Sequence, residues 1–245
     1  MPKLSILFDS LDFVAIDKPA GLATMPGRAE TTSAFQELAH QIGLAASGDA
    51  DPRLRVVHRL DKDTSGVLLF AKHVAAQRHA SHQFQNNRVE KQYLAIVAGN
   101  PSDQQGTIDA PLDTHPADKT RMHVSRRGRP AVTEWRIEQS FRRYALVRCF
   151  PKTGKTHQIR VHLASLGHPL AVDPLYGNES PLLLSSFKKK YHAGKHEAER
   201  PLIARLTLHA ERLAFADMQN ERVEVIAPLP KDLRATLNQL AKHAR

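Results

Sequence analysis

His58-Arg59-Leu60-Asp61-Lys62-Asp63-Thr64-Ser65-Gly66 sets a carboxylate, a guanidinium, two hydroxyls and a glycine turn immediately before an apolar run at Val67. A carboxylate there could add to an electrophilic carbon and later leave, or take up a proton. Loops at strand ends are where sites are built on rigid scaffolds. The same residue types also make an ordinary tight turn with Asp61 as its cap. Thr153-Gly154-Lys155-Thr156 ends like a phosphate-binding loop and opens a helix after a strand, but the glycine required five residues before Gly154 is Cys149. What remains is a helix N-terminus beside a lysine, a setting suited to an anion. His79 with His82, and His157 with His162, lack the cysteine or carboxylate partners of a zinc site, so no metal is expected.

These residues need a scaffold. The 245-residue chain is 41% hydrophobic, enough for a sizeable core and too much for a disordered tail. Short strands are expected at Leu4–Phe8 and Phe13–Ile16, the second running into a Lys18-Pro19-Ala20-Gly21 turn. Helical spacing follows around Ala34–Leu44, closed by Gly43 or Gly48. Val67–Ala71 reads as a buried strand, and Val74–Asn87 as a helix with Ala76, Ala80 and Phe84 inward. Lys91–Gly99 is apolar on both faces, as a central strand would be. Pro111–Pro130 is a polar loop or hairpin before strands at Ala131–Gln139 and Tyr144–Phe150. Thr156 is the expected N-cap of a helix carrying Ile159, Leu163 and Leu166, stopped by Gly167 and Pro169. A hairpin of Leu206–Phe215 with Arg222–Ile226, turning at Asp217–Asn220, precedes a terminal helix marked by Leu233, Leu237 and Leu240. The expected architecture is α+β: a single domain over residues 1–245, with a mixed, mainly antiparallel sheet, flanking helices and a central cleft.

The formal net charge of +10 makes a polyanion the natural partner. A lone cysteine excludes an internal disulfide, which suits a reducing compartment. No apolar run is long enough to span a bilayer, and Asp9 and Asp12 interrupt any signal core. The expectation is a cytoplasmic protein that does not engage a membrane.

HRLDKDTSGVLLFAK resembles the signature of the RluA family of RNA pseudouridine synthases. Asp17-Lys18-Pro19-Ala20-Gly21 is similar to that family's KPxG motif, Lys91-Gln92-Tyr93 to its K-x-Y strand, and Pro151–Gly177 to its TGRTHQIR…GHP…YG block, with Lys155 in place of the usual arginine. The family's larger members carry a small RNA-binding domain ahead of the catalytic part, and this chain is expected to begin at the catalytic part. The resemblance implies isomerisation of a uridine within structured ribosomal or transfer RNA, with no cofactor. It implies Asp61 as the residue that starts glycosidic cleavage, as nucleophile or as base. It also implies Arg160 as the cation paired with that carboxylate, Tyr93 against the uracil and Ile159 as an apolar wall beside it.

A stacked uridine must swing out of the RNA to reach a carboxylate, at a cost of a few kcal/mol. Arg59 is the planar cation suited to fill the vacated place. His58 and Lys91 complete the substrate-side residues, His58 as a brace of the loop, while Thr64, Ser65 and Gly66 shape the turn. Phosphates would meet Lys119, Arg121, Arg126, Arg127, Arg129 and the Lys188–Lys190 block. The expected protein is a monomer. An inactive RNA-binding or assembly factor on the same fold is the alternative, against which an intact Asp61, Tyr93 and Arg160 speak. A hydrolase using Asp61 and Asp63 as a pair fits poorly, since two residues on one turn do not flank a bond.

Overall fold

Residues 3–27, 32–44, 53–189, 191 and 199–244 are described by a computed structural model. Lys190 of the expected basic block lies outside them. The chain divides into two compact units, Met1–Gln92 with His209–Pro228 and Tyr93–Leu208 with Leu229–Arg245.

In the first unit, β1 (Ser5–Asp9) and β2 (Phe13–Lys18) form an antiparallel pair, followed by α1 (Ala34–Gln41), capped by the Ser33 hydroxyl. Gly43, at φ +70, ends that helix, so the nearer of the two candidate stops is the one used. The two-residue β3 (Arg55–Val56) is too short to leave a periodic signal in the sequence. In β4 (Ser65–Ala71) every residue is buried, as a continuous apolar run requires. Next, α2 (Val74–Gln85) sets Ala76 and Ala80 into a core with Phe13, Val67, Leu69 and Phe215. The chain then enters β5 (Glu90–Ala98) and leaves the first unit within it.

The second unit adds β6 (Gln105–Asp109), the hairpin β7 (Leu112–Thr114) with β8 (Met122–Val124), β9 (Val132–Ser140), β10 (Tyr144–Pro151) and α3 (Gln158–Ser165). Its sheet runs β5-β10-β9-β6 with antiparallel pairings throughout. The segment expected as a loop or hairpin at Pro111–Pro130 contains the β7–β8 pair, while the short, polar β6 had no readable pattern. Ala95 and Val97 of β5 face a core with Ile159 and Leu163 of α3. On the other face, Ile96 packs with Leu233 and Leu240 of α4 (Lys231–His243), so β5 is covered on both sides.

Two details of α3 differ from expectation. Thr156 is not the cap: the helix begins after His157, which sits at φ 54 with no side-chain cap bond. The reason is Gln158, whose amide oxygen accepts from Lys155 N–H at 3.0 Å and from the Thr153 hydroxyl at 2.7 Å, folding the preceding turn over the helix start. Leu166 is 40% exposed rather than part of the apolar stripe, because the helix has ended at Ser165.

The chain returns through β11 (Leu208–Ala216) and β12 (Arg222–Ile226), and the first unit's sheet is completed in the order β1-β2-β4-β11-β12. Within the units every pairing described is antiparallel except β4 with β11, which makes the architecture a mixed, mainly antiparallel α+β fold. At that parallel pair Gly66 has φ +117, and a Cβ there would lie 2.1 Å from the Ala210 carbonyl oxygen. Only glycine lets β4 and β11 meet at this point, directly after the Asp61 turn.

Candidate active site

Asp61 is held by its neighbours' backbone. Thr64 N–H donates to the Asp61 carbonyl at 3.1 Å, closing the expected turn. On one side, the Thr24 hydroxyl donates to the Leu60 carbonyl at 2.9 Å and accepts from Leu60 N–H at 3.1 Å. On the other, the Lys62 carbonyl accepts from Gly21 N–H at 3.0 Å and from the Lys18 ammonium at 2.8 Å. Gly21 reaches that position at φ +82, which a side chain would resist. Lys18 is fully buried, and its other bonds go to the Pro19 and Leu22 carbonyls, both at 2.8 Å. A buried cation is tolerated when its donors are satisfied, and here they are spent on fastening one turn to another. The half-buried Asp61 therefore projects from a backbone braced before and after it.

His58 and Lys91 also belong to the first unit. The His58 ring stacks on Phe84, with centroids 4.5 Å apart, and its Nε2 accepts from Leu69 N–H at 2.9 Å. Burial of the ring, with Lys91 nearby, depresses its pKa from 6.5 to about 3, so the imidazole is a neutral brace between the loop and β4. Burial also lowers the Lys91 ammonium from 10.5 to about 8. Arg59 is exposed and lines a cavity of about 510 Å³ with Ala23–Gly27, Val56–Val57, Leu60 and Lys62. Apolar walls with two cations suit a nucleotide's base and phosphate.

Tyr93, Ile159 and Arg160 belong to the second unit. Tyr93, two residues after Lys91 on β5 and hence on the same strand face, is half-buried against the core that contains Ile159. Arg160 is buried and forms a bidentate pair with the fully buried Asp173: Nε donates to Oδ2 and Nη2 to Oδ1, each at 2.8 Å. Asp173 Oδ1 also accepts from Leu175 N–H at 2.9 Å and Tyr176 N–H at 3.2 Å, and the guanidinium carbon lies 5.0 Å from the Tyr176 ring centre. This extra bonding is what a desolvated ion pair needs.

The helix that carries Arg160 is locked by a polar chain. Gln158 Nε2 donates to the Thr133 hydroxyl at 2.9 Å; that hydroxyl lies 2.9 Å from His162 Nδ1; and His162 Nε2 lies 2.9 Å from the Ala110 carbonyl. Burial lowers the His162 pKa, and a neutral ring accepting at Nδ1 and donating at Nε2 satisfies every member. His157 and His162, considered as metal ligands in the sequence, are thus framework residues, and the described residues contain no cluster of three metal-binding side chains. Lys18, Thr24, Asp173 and Tyr176 are the residues that sequence reasoning left without a role. Lys18, Asp173 and Tyr176 stand inside the motif blocks, whereas Thr24 carries no signal beyond its place just after the Lys18 turn.

The mixed, mainly antiparallel strands with their flanking helices have the pseudouridine synthase fold. The chain is similar over 93% of its length to human RNA pseudouridylate synthase domain containing 1 (TM-score 0.70, 27% identity, 84% of that chain). It is similar over 97% of its length to human RNA pseudouridylate synthase domain containing 4 (TM-score 0.70, 26% identity, 93% of that chain). Residues 12–165 match the family described as RNA pseudouridylate synthase. Among curated proteins, the chain is 38% identical to ribosomal large subunit pseudouridine synthase D of Nitrosomonas europaea, over 97% of this chain and 65% of that relative. It is 40% identical to the protein of the same name from Xanthomonas campestris, over 97% and 69%. The chain thus spans about two thirds of the length of these relatives. It belongs to the RNA pseudouridylate synthase family.

Proposed function

We propose that this chain isomerises uridines in structured RNA to pseudouridine, with ribosomal RNA of the large subunit as the first substrate to test. The observation that carries the reading is the Asp61 turn, braced at Leu60 by Thr24 and at Lys62 by Lys18 and Gly21. A carboxylate that must meet one atom of an extruded nucleotide gains from a backbone that cannot drift, since a misplacement of about 1 Å can cost two orders of magnitude in rate. In this reading Asp61 starts glycosidic cleavage, by attack or by taking a proton from the sugar. Arg160, oriented through Asp173, is the cation paired with Asp61, while Tyr93 stacks on the uracil beside Ile159. Arg59 fills the gap left in the RNA, Lys91 meets phosphate, and His58 holds the loop. The two units act as one catalytic domain, as a cytoplasmic monomer without a cofactor. No helix among the described residues is long and apolar enough to cross a membrane.

Substituting Asp61→Asn tests the reading. With unmodified large-subunit ribosomal RNA transcript, carbodiimide mapping should show pseudouridine formed by the parent protein and none by the variant, while RNA affinity stays within about threefold. Formation retained by the variant removes Asp61 from the chemistry.

A further inference from the structure

Tyr176 joins two parts of the second unit that the sequence keeps far apart. Its hydroxyl accepts from Met122 N–H in β8 at 2.8 Å and lies 2.8 Å from Nδ1 of His157, the residue that opens α3. Met122 N–H takes one lone pair of the hydroxyl, the contact with His157 uses either its proton or its second lone pair according to the imidazole tautomer, and burial raises the phenol pKa. The ring lies beneath two guanidiniums, Arg160 of α3 at 5.0 Å and Arg121 of the hairpin at 5.6 Å. Such contacts contribute most when desolvated, and they fix a planar cation face-on to the ring. Tyr176 and Met122 also pack on the small apolar cluster of Leu112, Ala131 and Val161, so the hairpin rests on the turn of α3 that bears Arg160.

The hairpin itself is incompletely satisfied. Arg121 Nε, His115 Nδ1 and His123 Nδ1 are buried without a hydrogen-bond partner, and together they make up half of such atoms among the described residues. Such atoms leave hydrogen-bonding capacity on the hairpin that an incoming anion can take up. Lys119 and Arg121 at its tip, with Arg126, Arg127 and Arg129 just beyond, supply the positive charge to attract one.

We infer that Tyr176 is a positioning residue that couples docking of RNA on the β7–β8 hairpin to the orientation of Arg160. A shift of Met122 is passed through the hydroxyl to His157 and the start of α3, and a shift of Arg121 through the shared ring to Arg160. RNA docking would then adjust the guanidinium within its pair with Asp173, rather than create that pair. This rests on the proposed RNA-modifying function.

The experiment is amide hydrogen exchange with and without unmodified large-subunit ribosomal RNA transcript, on the parent protein, Tyr176→Phe and Tyr176→Leu, alongside single-turnover rates at saturating protein. In the parent protein, RNA should slow exchange in both 112–124 and 158–165. Tyr176→Phe keeps the ring and loses both hydroxyl contacts: 112–124 should still be protected, the gain in 158–165 should vanish, and the rate should fall about tenfold with RNA affinity within about threefold. Tyr176→Leu, lacking the ring as well, should lose at least another tenfold. Coupled protection of 158–165 surviving in Tyr176→Phe, or a loss confined to RNA affinity, overturns the inference while leaving the proposed function standing. Absence of RNA protection at 112–124 in an active parent protein overturns the inference by itself, and parent protein that neither binds nor modifies the RNA overturns both.

Discussion

The buried ammonium of Lys18 donates a 2.8 Å hydrogen bond to the carbonyl of Lys62, tying the Pro19–Leu22 turn to the residue that follows Asp61. Two further carbonyls, of Pro19 and Leu22, depend on the same ammonium. In Lys18→Met the stem volume is largely kept and the donors are lost. Lys62 retains the Gly21 N–H, so most of the penalty falls on Pro19 and Leu22. Pro19 is exposed and Leu22 half-buried, so their carbonyls can turn to water and each lost bond costs about 0.5–1.5 kcal/mol. The expected result is a loss of about 1–2 kcal/mol in urea unfolding, with a fall in single-turnover rate larger than any fall in RNA affinity. A variant as stable and as fast as the parent would show that the Lys18 contact does not position Asp61.

Thr24 offers a finer probe, because one hydroxyl serves both backbone groups of Leu60. Thr24→Val is close in shape and leaves a buried N–H and a buried C=O unsatisfied, so a loss of about 2 kcal/mol is expected. Thr24→Ser restores the hydroxyl and should recover most of both stability and rate. If valine and serine behave alike, the hydroxyl is not what braces the turn.

His58 predicts a pH dependence whose sign follows from its depressed pKa of about 3 against 6.5 in the unfolded chain. Between those values the unfolded chain binds the proton and the folded one does not, so protonation favours unfolding. The stability contributed by the neutral ring is fully present above about pH 6.5 and is lost progressively as pH falls toward 3. His58→Gln keeps an acceptor for Leu69 N–H and removes the titration. Thermal midpoints followed from pH 7 to pH 4 should therefore fall less steeply for the variant than for the parent. Parallel curves would mean that His58 is not the group responsible.

Periodicity makes the strands that carry the site legible in the sequence, since Val67–Ala71 and Lys91–Gly99 are short apolar runs covered on both faces. The Asp61 turn is legible for another reason: its hydroxyls, carboxylates and glycine are consecutive. What cannot be read is the bracing, because Lys18 and Thr24 reach Lys62 and Leu60 across 44 and 36 residues of chain and leave no periodic trace. The start of α3 is not legible for a local reason: Thr156 has the composition of a cap, but the Gln158 side chain already occupies the turn. β6 escaped because five mixed residues, with Gly106 under the Trp135 ring, satisfy no template.

Asp173 separates orientation of Arg160 from simple stability. Asp173→Asn leaves a buried guanidinium without its counter-charge, and breaking a buried pair from one side typically costs about 3–5 kcal/mol. Such a loss alone would not reveal a positioning role. A double variant, Arg160→Met with Asp173→Leu, removes both charges and fills the space with apolar atoms, which is often neutral or stabilising. Denaturant unfolding should therefore show the double variant regaining most of the stability lost in Asp173→Asn. Pseudouridine formation on the ribosomal RNA transcript should remain at least a hundredfold below the parent in both. Activity that returns together with stability in the double variant would show that Arg160 and Asp173 act only as framework.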